Sequence, residues 1–324
     1  MWMCRWRWKL SRYYPFELHC HTNHSDGDMS PAELVQRAVE RGLSGIAITD
    51  HNTYSAVEEV AIEGKKRNLT VIEGIEWTTF WGHIVALGKT DIDWRDLNPK
   101  NIDQILAKAH SHGLTLTLAH PKRYGTPICT GCFMDLPITK YEYISAYEVW
   151  TQKCPNFSDY NEKAIREYDE LLQKGYRIAA IYGYDWHRPD PEERPFAVTF
   201  LGYKEEPCRA IKDGDTYVSI GLMIDIKING KSLPFGSSLK SGEYQIEAGI
   251  SRFNERYFKK HDIKPEKIVA TGSALKQKIE FEPNQKTFIK LTKGYVRFEV
   301  VGQEKGHKGK KLLLTSPYYI DKGE

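Results

Sequence analysis

Residues 16–27 read FELHCHTNHSDG, a short apolar run that leads into a loop rich in metal-binding side chains. His19 and His21 are one residue apart, so on a β-strand they project from the same face, because side chains alternate along a strand. Asp26 follows in the loop. Imidazoles and carboxylates buried together are costly unless a cation or paired charges compensate them. This stretch therefore predicts a strand that opens a metal site.

The region from residue 16 to about 213 alternates apolar runs with helical patterns, which is typical of a parallel, barrel-like α/β domain. The helix after the first strand has the clearest start, with Ser30 as N-cap, Pro31 in the first turn and Glu33 completing a capping box. Strands are predicted at residues 17–21, 45–49, 70–75, 83–88, 114–119, 146–150, 178–182 and 197–202, and further helices at 55–66, 102–112 and 160–174.

After residue 213 the pattern changes to short alternating runs such as TYVSIG, YQIEAGISRF and GYVRFEVVG, separated by Gly, Asn, Pro and Lys. Such runs are typical of an antiparallel β-sandwich, here of about seven strands. A chain of 324 residues also favours two domains. We therefore predict an α/β barrel at residues 1–213 and a C-terminal β-sandwich at residues 214–324.

The overall charge is nearly balanced, at +3 from 46 basic and 43 acidic residues. This excess is too small to indicate a nucleic-acid or membrane surface. We expect nucleic acid at most as a nucleotide or oligonucleotide substrate. No apolar run approaches the ~20 residues that a membrane-spanning helix needs.

The N-terminus, MWMCRWRWKLSRYY, lacks the uninterrupted apolar stretch of a secretory signal. We expect a lead-in strand or arm, and the alternative is an amphipathic anchor at a membrane interface. Six scattered cysteines fit a reducing compartment, so the sequence favours a cytoplasmic protein. Cys129 and Cys132 form a lone CxxC, which we predict to be free thiols rather than a disulfide or metal clip.

Further candidate ligands stand where predicted strands end, which is where a parallel barrel carries its chemistry. One of them, His83, instead begins its strand and needs a turn to bring it round. The candidates, nine in all, are His19, His21, Asp26, His51, Glu76, His83, His120, Asp185 and His187. Scattered surface histidines would not follow strand ends in this way, so the pattern supports one metal centre.

The motifs HCHTNHSDG, TDHNT, GIEW, WGHIVALG, AHP and GYDWH resemble the successive signatures of the polymerase-and-histidinol-phosphatase (PHP) superfamily. The spacing of GHIVALG after GIEW is similar to that in its carbaryl-hydrolase-like (CehA/McbA) metallohydrolase branch. The motif-bearing part covers about residues 16–203. The resemblance implies a distorted (β/α)7 barrel with two or three divalent metal ions, followed here by the β-sandwich.

The resemblance also implies how the nine side chains share the metals. The three sets would be His19, His21, Glu76 and Asp185 for the first metal, Glu76, His83 and His120 for the second, and Asp26, His51 and His187 for the third. Glu76 and a solvent hydroxide would bridge the first two metals. Zn, Mn or Fe would suit such ligands, and ligand type alone does not choose among them.

Residues beside these ligands are expected to have supporting roles. His24 is expected to support a ligand or face solvent, and Asp50 to orient its loop or an imidazole. Lys122, Arg123 and Arg188 follow ligands directly and are candidate contacts to a substrate phosphate. The alternative is that these three are ordinary solvated loop charges.

The function we predict is hydrolysis of a small phosphomonoester or phosphodiester by a metal-held hydroxide. Asp185 would orient or deprotonate the nucleophile, and His187 or a metal-bound water would protonate the leaving group. One alternative is hydrolysis of a carboxylic or carbamate ester at the same site. The other is a non-catalytic, metal-stabilised binding protein. The sequence does not indicate the oligomeric state.

Overall fold

The computed structural model describes residues 12–125, 131–189, 197–253 and 261–323 of the chain. Most of the predicted N-terminal arm falls on residues 1–11, which lie outside the described residues, as does Cys129. Cys132 is disulfide-bonded, so the prediction of a free thiol is wrong there. Three other cysteines are free, namely Cys20, Cys154 and Cys208.

The N-terminal part is a mixed α/β structure whose elements lie close to the predicted positions. Its first seven strands are β1 (Tyr14–Cys20), β2 (Gly45–Ile48), β3 (Thr70–Thr79), β4 (Gly82–Leu87), β5 (Thr115–Leu118), β6 (Ala146–Thr151) and β7 (Ala179–Gly183). Its helices are α1 (Pro31–Glu40), α2 (Val57–Lys66), α3 (Ile102–Ser111) and α4 (Asp159–Gln173). The predicted capping box of α1 is confirmed, because Glu33 N donates to Ser30 Oγ and Ser30 N donates to Glu33 Oε2.

The sheet is not parallel throughout, which corrects the prediction. Strands β1, β2 and β3 are parallel neighbours, as are β5, β6 and β7, but β4 runs antiparallel to both β3 and β5. Only Phe80 and Trp81 connect β3 to β4. A parallel connection needs a crossover of about a dozen residues or more, so this short link permits only a hairpin.

The two ends of this seven-stranded series meet beside the predicted ligands. His21 N donates to Trp186 O at 3.0 Å, and Trp186 N donates to His19 O at 2.9 Å. The backbone that follows β7 is therefore hydrogen-bonded to the end of β1. This contact brings the first and last ligand-bearing segments together.

Apolar side chains cover both faces of the sheet, as expected for strands flanked by helices. Leu34, Val35 and Ala38 of α1 are fully buried and pack in a large cluster with Ile46 of β2. A second, smaller cluster gathers side chains from the opposite face, including Phe16 of β1.

The N-terminal part ends with an eighth strand and with a helix that the sequence pattern did not reveal. Strand β8 (Val198–Leu201) pairs antiparallel with β1 and is followed by α5 (Pro207–Asp213). The remaining strands are β9 (Thr216–Ser219), β10 (Leu222–Ile228), β11 (Lys231–Ser232), β12 (Ser238–Lys240), β13 (Gly242–Arg252), β14 (Lys264–Thr271), β15 (Ile279–Phe281), β16 (Lys286–Leu291), β17 (Gly294–Glu304), β18 (His307–Thr315) and β19 (Tyr318–Asp321).

These strands form two sheets, and one of them continues the sheet of β1–β7. The order is β12-β19-β17-β18-β9-β8-β1-β2-β3-β4-β5-β6-β7, with β14 on β17 and β15 on β14, and β11-β10-β13-β16 form a separate sheet. The predicted number of about seven C-terminal strands is too low, because the short pairings of β11, β12 and β15 leave little pattern in the sequence. Pairing of β8 with β9 joins the two halves of the chain.

None of the helices within the described ranges is long and apolar enough to cross a membrane.

Candidate metal centre

The structure brings all nine predicted ligands together in three adjoining groups at one end of β1–β7. Within each group the candidate ligand atoms lie within 4.8 Å of one another. The groups are His19, His21, Glu76 and Asp185; Glu76, His83 and His120; and His21, Asp26, His51 and His187. Glu76 belongs to the first two groups. His21 joins the first and third, whereas the family resemblance implies a place in the first alone.

The first group is fully buried and its facing atoms make no hydrogen bonds. His19 Nε2 lies 3.2 Å from Glu76 Oε2, and His21 Nε2 lies 3.2 Å from Asp185 Oδ1. All four of these atoms are without a hydrogen-bond partner among the described residues. Unpartnered buried polar atoms are rare and need an explanation. Two imidazole nitrogens and two carboxylate oxygens converging on one point fit a divalent transition metal ion.

The second group uses the other oxygen of Glu76. Its Oε1 lies 3.0 Å from His83 Nδ1 and 3.2 Å from His120 Nε2. The β3–β4 hairpin brings His83 back beside Glu76, since Thr78 and His83 are paired across the two strands. His120 is oriented through its other nitrogen, which lies 3.1 Å from the carbonyl oxygen of Cys132. Glu76 therefore has one oxygen for each of the two deep groups.

The third group lies nearer the surface. Asp26 Oδ1 is 3.0 Å from His187 Nε2 and 3.4 Å from His51 Nε2, and the Asp26 side chain is 60% exposed. The His21 ring stacks on that of His187 with centroids 4.0 Å apart. This openness distinguishes the third group from the other two, and an ion held there would exchange with solvent most easily.

Two ligands sit on backbone that non-glycine residues seldom adopt. His120, directly after β5, has a φ of 31°, and Asp185, shortly after β7, has a φ of 58°. Left-handed conformations cost a non-glycine residue free energy and persist where the surrounding structure enforces them, often at functional sites. The turns at these strand ends thus aim both side chains into the centre.

Opposite charges balance the buried groups when no metal is bound. Burial raises the pKa of Glu76, but the nearby imidazoles of His19, His83 and His51 outweigh it and hold the pKa well below its usual range. Burial lowers the pKa of His19, but Glu76 and Glu148 outweigh it and raise the pKa well above normal. The centre therefore concentrates negative charge that protons or cations must neutralise.

The histidines of the third group titrate in opposite directions. Burial lowers the pKa of His21 to about 4. Burial also tends to lower the pKa of His187, but its hydrogen bond with Asp26 and the charge of Asp185 raise it to about 9. At neutral pH the metal-free protein consequently holds His21 neutral and His187 protonated.

Glu148 of β6 is a buried carboxylate that sequence reasoning missed. His19 Nδ1 donates to its Oε1 at 2.8 Å, and His120 N donates to its Oε2 at 2.6 Å. It thus holds one ligand of the first group and the backbone of one ligand of the second. Gly183 makes room for it, because a Cβ there would lie 2.0 Å from Glu148 Oε1. A lone glutamate inside the apolar run AYEVW was the available signal.

Asp50 organises the loop that carries Asp26, as predicted. It is 1% exposed and accepts hydrogen bonds from Thr22 N, Thr22 Oγ1 and Ser25 Oγ. His24 lies outside the three groups, with Nδ1 3.0 Å from Ser55 Oγ.

The three predicted phosphate contacts differ in position. Arg123 Nη1 lies 2.5 Å from Asp185 Oδ2, at the edge of the centre. Lys122 Nζ pairs with Glu167 at 2.9 Å. Arg188 is 79% exposed and lies 3.3 Å from Asp28. Of the three, only Arg123 contacts a candidate ligand directly.

Comparisons with known proteins agree with this arrangement. Residues 17–177 match the family model described as the PHP domain. A 5′-3′ exoribonuclease of Haemophilus influenzae is 41% identical over 76 residues, which are 22% of this chain and 28% of that protein. A 3′,5′-nucleoside bisphosphate phosphatase of Chromobacterium violaceum is 36% identical over 76 residues, which are 22% of this chain and 27% of that protein. The chain thus matches little more than a quarter of either relative's length.

One solved structure is similar over nearly the whole chain. It is a two-domain protein from Bacteroides vulgatus, described as containing a predicted PHP-like metal-dependent phosphoesterase. The two chains superpose with a TM-score of 0.53 at 17% identity, over 95% of this chain and 96% of that chain. At this identity the likeness concerns the fold alone, and it includes the strand-rich C-terminal part.

Proposed function

Since this chain carries a PHP domain over residues 17–177, we propose that it is a metal-dependent hydrolase that cleaves phosphoesters. The observation that carries the proposal is the first group, in which four unpartnered buried atoms of His19, His21, Glu76 and Asp185 converge. The names of the exoribonuclease and phosphatase relatives support phosphate esters as the substrate class.

The three groups would hold two or three divalent ions, of Zn, Mn or Fe. Such ions lower the pKa of bound water and neutralise phosphoryl oxygens. Glu76 would bind in both deep groups, with one oxygen in each. The third group, which is more exposed, would be the last to fill.

Two residues of the chain would handle protons. Asp185 turns Oδ1 toward the first group, while Arg123 and Gln152 donate to its Oδ2. Held in this way, Asp185 can orient the attacking water and accept its proton. The pKa of His187, raised to about 9 without metal, leaves that imidazole protonated near pH 7. If two metals are bound, His187 can protonate the leaving oxygen, and if three are bound it serves as a ligand instead.

Arg123 is the substrate contact that the geometry favours. Its guanidinium reaches the rim of the centre at Asp185 and remains 27% exposed. A phosphoryl group entering the centre would meet this fork of donors, which suits phosphate oxygens. Lys122 and Arg188 would contact a phosphate only after their ion pairs with Glu167 and Asp28 break.

We also retain the finer assignments as proposals. The carbaryl-hydrolase-like (CehA/McbA) branch is supported by the tight hairpin that joins Glu76 to His83. A distorted (β/α)7 barrel over residues 1–213 is supported by the hydrogen bonds between the end of β1 and Trp186. The domain boundary at residues 213 and 214 would coincide with the end of α5.

A substrate panel tests the reaction. We expect the metal-loaded protein to hydrolyse 4-nitrophenyl phosphate or bis(4-nitrophenyl) phosphate, to lose this activity in EDTA, and to regain it with Mn²⁺, Zn²⁺ or Fe²⁺. Hydrolysis of 4-nitrophenyl acetate or carbaryl with neither phosphate ester cleaved would instead establish the ester or carbamate alternative.

Metal analysis of variants accompanies the panel. By mass spectrometry, Asp26→Ala should lose metal from the third group only, whereas Glu76→Ala should lose metal from both deep groups. Unchanged metal content in both variants would show that the ligand sets are wrong.

A further inference from the structure

We propose that exposed rings and cations form a binding track for single-stranded nucleic acid, leading from the metal centre to a hairpin of the C-terminal part. This aromatic–basic track consists of Arg123, Tyr124, Lys163, Phe157, Lys310 and His307. The proposal rests on the phosphoesterase function, because it assigns that centre an oligonucleotide as substrate rather than a small phosphoester alone.

The track begins at the rim of the centre. Arg123 contacts the ligand Asp185, and the next residue, Tyr124, is 50% exposed. Lys163 Nζ lies 4.7 Å from the centre of the Tyr124 ring. Tyr124 OH donates to Asp159 Oδ2 at 2.5 Å, at the start of α4. The ring is therefore fixed in place beside a cation, with much of its surface open to solvent.

The other end is built by the β17–β18 hairpin, which packs against a short 3-10 helix at Pro155–Phe157. Asn156 Nδ2 donates to Glu304 Oε2 at 2.6 Å, and both residues are buried. The His307 ring lies 5.4 Å from that of Phe157, and Lys310 Nζ lies 4.1 Å from the same ring. Phe157 remains 39% exposed, so it too presents a ring beside a cation, that of Lys310.

The hairpin turn concentrates positive charge at this point. Residues 305–311 read KGHKGKK, with four lysines and one histidine. The carboxylates that face this region are Glu162, which pairs with Lys311 at 2.5 Å, Asp159, which pairs with Lys163 at 3.2 Å, and the buried Glu304. Within the described part of the chain, Lys308 and Lys310 form no ion pair. The small net charge of the whole chain thus hides a local basic surface.

The hairpin is close enough to the centre for one substrate to contact both. Gln152 Nε2 donates to Asp185 Oδ2 at 3.3 Å, and Asn156, which binds the hairpin, is four residues further along the chain. The Cα atoms of Gln152 and Asn156 are therefore at most about 14 Å apart, the length of four fully extended residues. A strand of a few nucleotides with its end at the metal centre would therefore reach Phe157 and Lys310.

Alternating rings and cations favour single-stranded nucleic acid as the occupant. Bases stack on aromatic rings whatever their sequence, while lysine and arginine follow the phosphates. In a duplex the faces of the bases are covered by their neighbours, so the rings would contribute little. The track fits an unpaired strand with its successive phosphates.

Binding to a labelled oligonucleotide tests the track. The probe is a fluorescein-labelled single strand of twelve nucleotides, as RNA and as DNA, with phosphorothioate linkages that slow its cleavage. Fluorescence anisotropy with the metal-loaded protein should show that Phe157→Ala/Lys310→Ala weakens binding of at least one strand about tenfold or more, because stacking and a phosphate contact are both lost. A plot of log affinity against log salt concentration has a negative slope, and losing the lysine should make that slope shallower by about 0.7.

The β16 strand provides a matched control. Phe288→Ala/Lys290→Ala removes the same two side-chain types from exposed positions in the separate four-stranded sheet, and it should leave affinity within about twofold of wild type. Tyr124→Ala, at the end of the track beside the metal centre, should also weaken binding. This second variant keeps the proposal testable if the first variant misfolds.

Equal affinity of wild type and the Phe157 and Tyr124 variants would overturn the proposal, and so would binding of duplex as tightly as single strand. The binding assay requires no turnover, so such a failure leaves the phosphoesterase proposal intact. Conversely, absence of hydrolysis in the nitrophenyl panel would refute the phosphoesterase proposal. The anisotropy measurements would still decide whether the track binds single strands.

Discussion

At the scale of single residues, the centre depends on side chains that serve two groups at once. Glu76 offers one oxygen to each deep group, and His21 lies in both the first and the third. Glu148 connects the deep groups from behind by holding the His19 ring and the His120 backbone. If a metal displaced the second proton of the His19 ring, the hydrogen bond from Nδ1 to Glu148 would leave the Nε2 lone pair facing the other ligands, which is the tautomer that a metal requires.

Replacing Glu148 with glutamine should disturb both deep groups. The amide has a single acceptor oxygen, so it cannot replace both Oε1, which accepts from His19 Nδ1, and Oε2, which accepts from His120 N. We expect Glu148→Gln to lower metal affinity about 10- to 100-fold, measured by competition with a chromophoric chelator. The control is Glu73→Gln, an exposed glutamate on β3, which should bind metal like wild type. Full affinity in Glu148→Gln would show that this carboxylate is dispensable.

At the scale of elements, two antiparallel hairpins position side chains that an alternation of parallel strands and helices would not bring to these places. The β3–β4 hairpin turns His83 toward Glu76, which a parallel strand at that place would not do. The β17–β18 hairpin carries Glu304 and His307 to the short helix at Pro155–Phe157. In both cases the connection is short, so the partner strand can only be antiparallel.

Stability should depend on the protonation of Glu304 in the second hairpin. Burial raises the pKa of its carboxyl, although Asn156 and nearby lysines oppose this. The fold therefore favours the neutral acid, and this contribution is lost as pH rises from the unfolded-state pKa through the raised folded-state value. Glu304→Gln keeps the side chain neutral, so its melting temperature relative to wild type should be higher at pH 8 than at pH 4.

The check is differential scanning fluorimetry of both proteins across that range. A difference in melting temperature that is constant, or that shrinks as pH rises, would contradict the assigned direction. Because only the difference between the two proteins is read, effects of pH on the metal centre cancel.

At the scale of the whole molecule, the two parts of the chain share one sheet and a buried ionic contact. Strand β9 pairs with β8, and Thr216 Oγ1 donates to Ala180 O of β7 at 2.8 Å. Arg297 of β17 is 2% exposed and donates to both carboxylate oxygens of Asp169 on α4, and also to Glu299. The C-terminal part is thus joined to the N-terminal part by backbone pairing and by side chains.

Removing the arginine should destabilise the whole fold. Arg297→Leu leaves the buried Glu299 carboxylate without this partner, and breaking a buried pair from one side costs about 3–5 kcal/mol. Urea unfolding should show a lower midpoint. Lys267→Leu breaks the exposed pair with Glu280 and should cost less than about 1 kcal/mol. Similar costs for the two variants would mean that the buried contact does not hold the parts together.

The sequence by itself determined the positions of β1–β8 and of α1–α4, and the nine side chains that the structure brings together. The alternation of side chains along a strand, the capping residues of a helix and the position of a strand end are local signals, because each depends on residues within one turn or one strand. His19 and His21, for example, share a face through strand geometry alone. The same locality explains why the Ser30 capping box could be read before any contact was known.

Only the tertiary structure decided the antiparallel place of β4, the role of Glu148, the pairing that joins β8 to β9, and the approach of the Lys310 hairpin to Phe157. These features join residues that are distant in the chain; 129 positions separate His19 from Glu148, for instance. Whether such contacts form depends on the packing free energy of the whole molecule, which no local pattern of residues records.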